Sequence, residues 1–281
     1  MTIRHHKFMA AAAAIALLPA VTGCGADAGT SAAPYAAPDA AAAAATTGAS
    51  SAAVTTSVDG RPAALRGKVI VIDPGHNGGN ATHYAEINRL VDVITERKPC
   101  DTTGTETRKG YEEHAFTWDV SNRLAKLLKA QGAKVVLTRG SDTGVGPCVT
   151  GRAAIGNKNK ADAALSVHAD GARTSGHGFH IIEPSPVKGH NEEIVSSSHK
   201  LGLALRDAYR KGTGIPYSNY LGKNAMDVRD DLGGLNLSKR PKVFIECGNM
   251  QNPGDAAKLS DPRLRQRIAE SLAEGFAAYF A

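Results

Sequence analysis

The chain has 281 residues, 42% of them hydrophobic, and 33 Lys and Arg against 27 Asp and Glu give a formal net charge of +6. That is enough apolar material for a sizeable core, which excludes a wholly disordered chain, and no internal repeat marks a solenoid. The mild basic excess suits anionic polymers, yet no basic stripe interleaved with aromatics argues for nucleic acid.

At the N-terminus Arg4 and Lys7 precede an apolar run from Met9 to Val21. The run is too short for a permanent membrane span and reads as an export signal over residues 1–23. Val21-Thr22-Gly23-Cys24 resembles a bacterial lipoprotein box, in which Cys24 carries lipid and holds the protein at the outer face of the membrane. Ala26-Asp27-Ala28 offers ordinary cleavage instead, and with it secretion. Residues 24–66 are rich in Ala, Ser, Thr, Gly and Pro and cannot bury enough surface to offset their ordering entropy, so they read as a disordered tether. Residues 67–281 have the mixed composition of one α/β domain.

Lys68–Asp73 is a short β-branched run that ends in Pro74-Gly75, the pattern of a buried strand. Val135–Thr138, Ala163–Val167, Phe179–Ile182 and Val243–Ile245 read the same way. Phe116, Val120, Leu124, Leu127 and Leu128 share one helical face before Gly132. Ile194, Leu201, Leu205 and Tyr209 mark a second helix, and Ile268, Leu272 and Phe276 a third. Alternating strands and helices predict a mostly parallel, twisted sheet of about six strands with helices on both faces. Residues 77–110 form a long loop between the first strand and first helix, and a loop of that length in a compact domain is usually functional. Cys100 and Cys148 lie in Gly-, Thr- and Pro-rich loops, whereas Cys247 sits in an apolar strand. For an exported protein this predicts a Cys100–Cys148 disulfide and a buried Cys247 thiol.

In an open α/β sheet, ligands gather at the carboxyl ends of the strands. His76 follows the first strand, His168 the Ala163 strand, and Glu246 lies on the Val243 strand. Two imidazoles and a carboxylate could converge on one cation. Each also has a structural reading, since a histidine after a strand often bonds a backbone carbonyl and Glu246 could be ion-paired. No compact motif such as H-E-x-x-H decides between them.

The ordered set of motifs says more. Val71-Ile72-Asp73-Pro74-Gly75-His76, Tyr111-Glu112-Glu113-His114, Leu137-Thr138-Arg139, Arg152, Leu165-Ser166-Val167-His168-Ala169-Asp170-Gly171 and Phe244-Ile245-Glu246-Cys247-Gly248-Asn249 together resemble the zinc-dependent N-acetylmuramoyl-L-alanine amidases of the amidase 3 group. The likeness runs from the first strand to the last helix and is nearest to the actinobacterial, free-standing branch. It implies one zinc ion per chain on His76, His168 and a glutamate at the start of the first helix, with Glu246 as catalytic acid/base. Glu112 and Glu113 both stand there, and the family's register favours Glu113. The implied reaction cuts the amide between muramic acid and L-alanine in peptidoglycan, the implied partner, at the cell wall or membrane surface and by a monomer. Asp73 and Asn77 are candidates to orient His76, and Asn77, His180 and Arg229 are candidate substrate contacts. The 77–110 loop is longer than the family's minimal loop, and the disulfide would fasten it over or beside the groove as a candidate gate. The competing readings are a zinc peptidase on another wall amide and a non-catalytic wall-binding lipoprotein.

Overall fold

Alternation along the strands decides which side of the sheet does chemistry. The computed structural model describes residues 64–281, so the signal segment and Cys24 lie outside the described residues. In chain order it contains β1 (Val69–Pro74), a 3-10 turn (Asn80–Thr82), α1 (Tyr84–Ile87), β2 (Leu90–Asp92), β3 (Arg97–Pro99), α2 (Glu113–Ala130) and β4 (Lys134–Leu137). There follow α3 (Val149–Lys158), β5 (Ala163–Asp170), β6 (His180–Pro184), α4 (Glu192–Thr213), β7 (Met226–Arg229), α5 (Gly233–Asn236), β8 (Lys242–Asn249), α6 (Pro253–Leu259) and α7 (Pro262–Phe280). Six strands form the main sheet in the order β4-β1-β5-β8-β6-β7, and β2 and β3 make a separate hairpin. All neighbours in the main sheet are parallel except β6 and β8.

Ile70 and Ile72 of β1, Leu165 and Val167 of β5 and Val243 and Ile245 of β8 point into one apolar layer with Phe116, Val120, Leu124, Leu205, Leu272 and Phe276 from α2, α4 and α7. Side chains of a strand alternate between faces. Asp73, Ser166, His168, Phe244 and Glu246 therefore emerge on the opposite face, which α3, α5 and the β2–β3 hairpin cover only in part. The helical layer is the larger hydrophobic anchor; the thinner face is left free for polar groups.

Several elements differ from the sequence reading. The tether was expected to run to residue 66, but Leu65 is fully buried in the main core and its N–H donates to Gln131 O (3.0 Å), so the folded domain already includes it. β5 and β8 run on to Asp170 and Asn249 because they pair with each other that far, which puts His168 inside its strand rather than after it and keeps Glu246 on β8 as expected. β7 carries no apolar run; it is an edge strand held by β6 alone, and single-sided pairing asks little of its sequence.

The loop expected over residues 77–110 is a built structure, with a 3-10 turn, α1 and the β2–β3 hairpin. A Cys100–Cys148 disulfide closes its base onto the start of α3, and Cys247 is free and buried. The disulfide spans a sequence separation of 48 residues, and the chain-entropy relation gives about 4 kcal/mol for a loop of that length. Replacing both cysteines with alanine should therefore lower the denaturation midpoint in a urea titration without abolishing folding. An unchanged midpoint would show that the hairpin's other contacts already hold it.

Candidate active site

The turn after β1 is clamped from below. Arg152 of α3 is buried and donates to Asp73 Oδ1 (2.8 Å), Pro74 O (2.7 Å), His76 O (3.0 Å), Asn77 Oδ1 (3.1 Å) and Asp101 Oδ2 (3.1 Å). His76 itself takes a left-handed backbone, φ 57°, a conformation that is costly for a non-glycine residue and is maintained by such over-determination. Gly75 lies so close to β5 that a Cβ would fall 2.2 Å from the His168 ring, so only glycine lets the two imidazoles approach.

Three side chains meet above this turn. His76 Nε2 lies 3.1 Å from Glu113 Oε2, and His168 Nδ1 lies 3.0 Å from Glu113 Oε1. The two imidazole rings stand perpendicular with centroids 4.9 Å apart, and His168 stacks on Phe244 at 5.4 Å. One ligand atom from each of His76, Glu113 and His168 falls within 4.8 Å of the others. Glu113 opens α2, where the helix dipole favours a carboxylate. Its two oxygens also accept from the N–H groups of Ala169 (3.1 Å) and Thr105 (3.0 Å). Glu112 is turned outward to His114 (3.0 Å) and is not brought to the histidines. His76 Nδ1 lies 3.0 Å from Thr102 O and 3.6 Å from Asp101 Oδ1, two acceptors that make Nδ1 a donor and turn Nε2 toward Glu113.

Glu246 sits directly opposite His168 in the β5–β8 register, so both leave the same face of the sheet. The two glutamates are in opposite electrostatic conditions. Burial by itself raises the Glu113 carboxyl, but the two facing imidazoles outweigh it and hold the group below the usual carboxylate range. Burial raises Glu246 as well, and there the Glu113 and Asp170 charges add to the effect, so it stands well above that range. Environments that push two carboxyls apart in this way divide them into a fixed anion and a proton carrier.

The remaining candidates separate by position. Arg229, at the end of β7, lines a cavity of about 360 Å³ together with His76, Glu113, His168, Asp170 and Glu246. Its guanidinium is held by Asp231 through two 2.7 Å bonds. Asn77 does not contact the cavity as a substrate residue would, because its side chain is buried and spent on Asp101 (2.8 Å) and Asn80 (3.3 Å). Neither Asn77 nor Asp73 touches the His76 ring: that task falls to Thr102 and Asp101, which sequence reasoning missed because they stand inside the long loop. His180 is buried beside Glu246, its cross-strand partner, and does not line the cavity; burial lowers its pKa and favours the neutral imidazole. The hairpin is pinned at its tip, where Asn236 donates to Val93 O (2.9 Å), and at Lys98, which pairs with Asp231 (2.5 Å). With the disulfide at its base, it forms a wall of the groove rather than a loose gate. The same loop carries Asp101, Thr102 and Thr105, so its removal would take away contacts to His76 and Glu113.

A largely parallel sheet that presents two imidazoles, an ionised carboxylate and a second, protonatable carboxyl around one cavity is the arrangement of a hydrolase with a candidate metal centre. The family model for N-acetylmuramoyl-L-alanine amidase (Amidase 3) matches residues 70–278, and the chain belongs to that family. It is 41% identical over 231 residues to the N-acetylmuramoyl-L-alanine amidase Rv3717 of Mycobacterium tuberculosis, covering 81% of this chain and 92% of that one. Among solved structures it is similar to the amidase Ami1 of Mycobacterium smegmatis, with TM-score 0.72 and 38% identity over 77% of this chain and 98% of that one. The apo Ami1 of Mycobacterium abscessus gives TM-score 0.72 and 37% identity over 77% and 100% of the two chains.

Proposed function

We propose that this protein hydrolyses the amide between the lactyl group of N-acetylmuramic acid and L-alanine of the peptidoglycan stem peptide, using one zinc ion on His76, Glu113 and His168 and Glu246 as acid/base. The observation that carries the reading is the placement of Glu246 beside the His76–Glu113–His168 group, on one face and around one cavity. The donor set suits zinc: two nitrogens and one oxygen, with the His76 tautomer fixed by Thr102 and the carboxylate fixed by two backbone N–H groups. When bound, zinc supplies Lewis acidity, polarising the scissile carbonyl and making water a stronger acid.

The chain's own groups do the rest. Glu113 stays ionised. Glu246, raised by burial, accepts the proton of the attacking water and returns it to the departing amine of L-alanine. Arg229 faces the cavity with a planar, charged fork suited to a stem-peptide carboxylate. The N-terminal apolar run and Cys24 support export and lipid attachment, and residues from Cys24 onward would tether the domain to the outer membrane face. No helix among the described residues is long and apolar enough to cross a membrane.

Digestion of purified peptidoglycan, with and without a zinc chelator, tests the reaction. Free stem peptides should appear and chelation should abolish them. Cleaved cross-links with stems still on the glycan would mean a peptidase, and wall binding without products a non-catalytic lipoprotein. Zinc at 100 times its dissociation constant should stabilise the fold by about 2.7 kcal/mol. The resulting rise in Tm should vanish in Glu113→Gln; a rise that survived would place the metal elsewhere.

A further inference from the structure

Buried polar atoms in folded proteins are nearly always paired, so a cluster of unpaired ones is informative. Among the described residues six buried side-chain polar atoms find no hydrogen-bond partner in the protein, and three of them belong to neighbouring side chains: Glu246 Oε2, His180 Nδ1 and the Tyr220 hydroxyl. His180 on β6 is the direct antiparallel partner of Glu246 on β8, so the two side chains rise side by side from the same face. The Tyr220 ring stands edge-on to His180 with centroids 5.9 Å apart, at 89°.

Tyr220 is also held firmly. A Cβ at Gly176 would fall 2.8 Å from its ring, so the 173–176 backbone packs directly on it. Asn249 in turn ties that segment down, donating to Arg173 O (2.9 Å) and Gly176 O (2.8 Å). The preceding residue, Asn219, exchanges hydrogen bonds with the backbone of His177. A buried water typically makes about three hydrogen bonds to otherwise unsatisfied groups, and these three atoms offer that number.

We propose that Tyr220 and His180 are positioning residues for Glu246, joined to its Oε2 through a water held between the three side chains. The proposal rests on the reading of Glu246 as the acid/base. Its two supports behave as the role requires. Burial, then the Asp170 carboxylate, which stands near the hydroxyl as a second acceptor though outside direct hydrogen-bond geometry, and after it Glu246, push the Tyr220 phenol far up, so it stays a donor. Burial keeps the His180 imidazole neutral, with one donor and one acceptor. The carboxyl then meets the cavity with one oxygen while the other is anchored, which fixes its angle to the water it must deprotonate. None of this requires contact with substrate.

The test uses the zinc-loaded protein and a soluble N-acetylmuramoyl peptide, assayed well below the Tm of the least stable variant. Tyr220→Phe keeps the ring and removes the hydroxyl; His180→Gln keeps a polar group and His180→Ala does not. Misplacement of a catalytic group costs roughly 10- to 100-fold, and Tyr220→Phe should lower kcat by that order with KM unchanged. His180→Gln should lose less than His180→Ala. The deciding readout is Tyr220→Phe and His180→Ala in a Glu246→Gln background, where neither should reduce the residual rate further. An unchanged kcat, a rise in KM alone, or an equal loss in the Glu246→Gln background overturns the proposal. If Glu246→Gln by itself keeps the full rate, the reading of Glu246 fails first, and that outcome is distinct from the others.

Discussion

Glu246→Gln is expected to lower kcat by roughly 10²- to 10⁴-fold while zinc content and Tm stay at wild-type values. The expectation follows from how differently the two site glutamates are held. Both Glu113 oxygens are engaged by an imidazole and a backbone N–H, the surroundings of a group that must stay charged and still. No side chain is bonded to Glu246, its carboxyl is raised by burial and by neighbouring negative charge, and it faces the same cavity. Glutamine preserves the shape and removes the proton-accepting oxygen. The strand will not shift in response, because Ile245 and Cys247 on either side are fully buried in the main core. Kinetics on an N-acetylmuramoyl peptide, with metal analysis of the same sample, reads both quantities. Glu113→Gln should do the reverse and lose the metal. A Glu246→Gln protein that lost zinc would make Glu246 a ligand, and one that kept its rate would remove it from the reaction.

What was legible in the sequence was the part written in short-range pattern. β1, β5 and β8 announce themselves as short apolar runs, and α2, α4 and α7 by apolar residues at helical spacing, because each buries a face in the same core. The grouping of His76 with His168 followed from their places at strand ends. The choice of Glu113 over Glu112 came from the family's register and not from any local pattern: adjacent residues at a helix start differ by about 100° in direction, and the position of α2 against β5 is what turns one of them to the histidines. Asp101 and Thr102 were invisible for another reason. They reach His76 because a disulfide, the Arg152 clamp and the hairpin tip fold a long loop back onto the turn after β1, and none of those is a local pattern. Tyr220 is likewise brought to Glu246 by tertiary packing, from a stretch with no apolar period.

The second large effect is structural and lies beneath the site. Asp73→Asn is expected to destabilise the fold by about 3–5 kcal/mol, the cost typical of breaking a buried ion pair from one side. Asp73 accepts from Thr138 (2.6 Å), Ser166 (2.6 Å), Arg152 (2.8 Å) and Lys242 (3.2 Å), all buried. Burial on its own would raise its pKa, but Lys242 and Arg152, helped by the two hydroxyls, hold it well below the usual carboxylate range. A depressed folded pKa contributes stability that is complete above the unfolded value of about 3.9 and is lost as pH falls from there toward the folded value. The gap between wild type and Asp73→Asn should therefore be constant from pH 7 to pH 5 and should narrow below pH 4. Arg152 keeps Asp101 as a partner, whereas Lys242 has no other carboxylate within salt-bridge distance, so Lys242 carries most of the penalty. Adding Lys242→Met to Asp73→Asn should then recover a substantial part of the loss, since it removes the stranded cation while keeping the volume. Urea denaturation of the two single variants and the double variant measures this directly, and strictly additive losses would show that the pair is not coupled and that the cost lies in the Arg152 clamp instead.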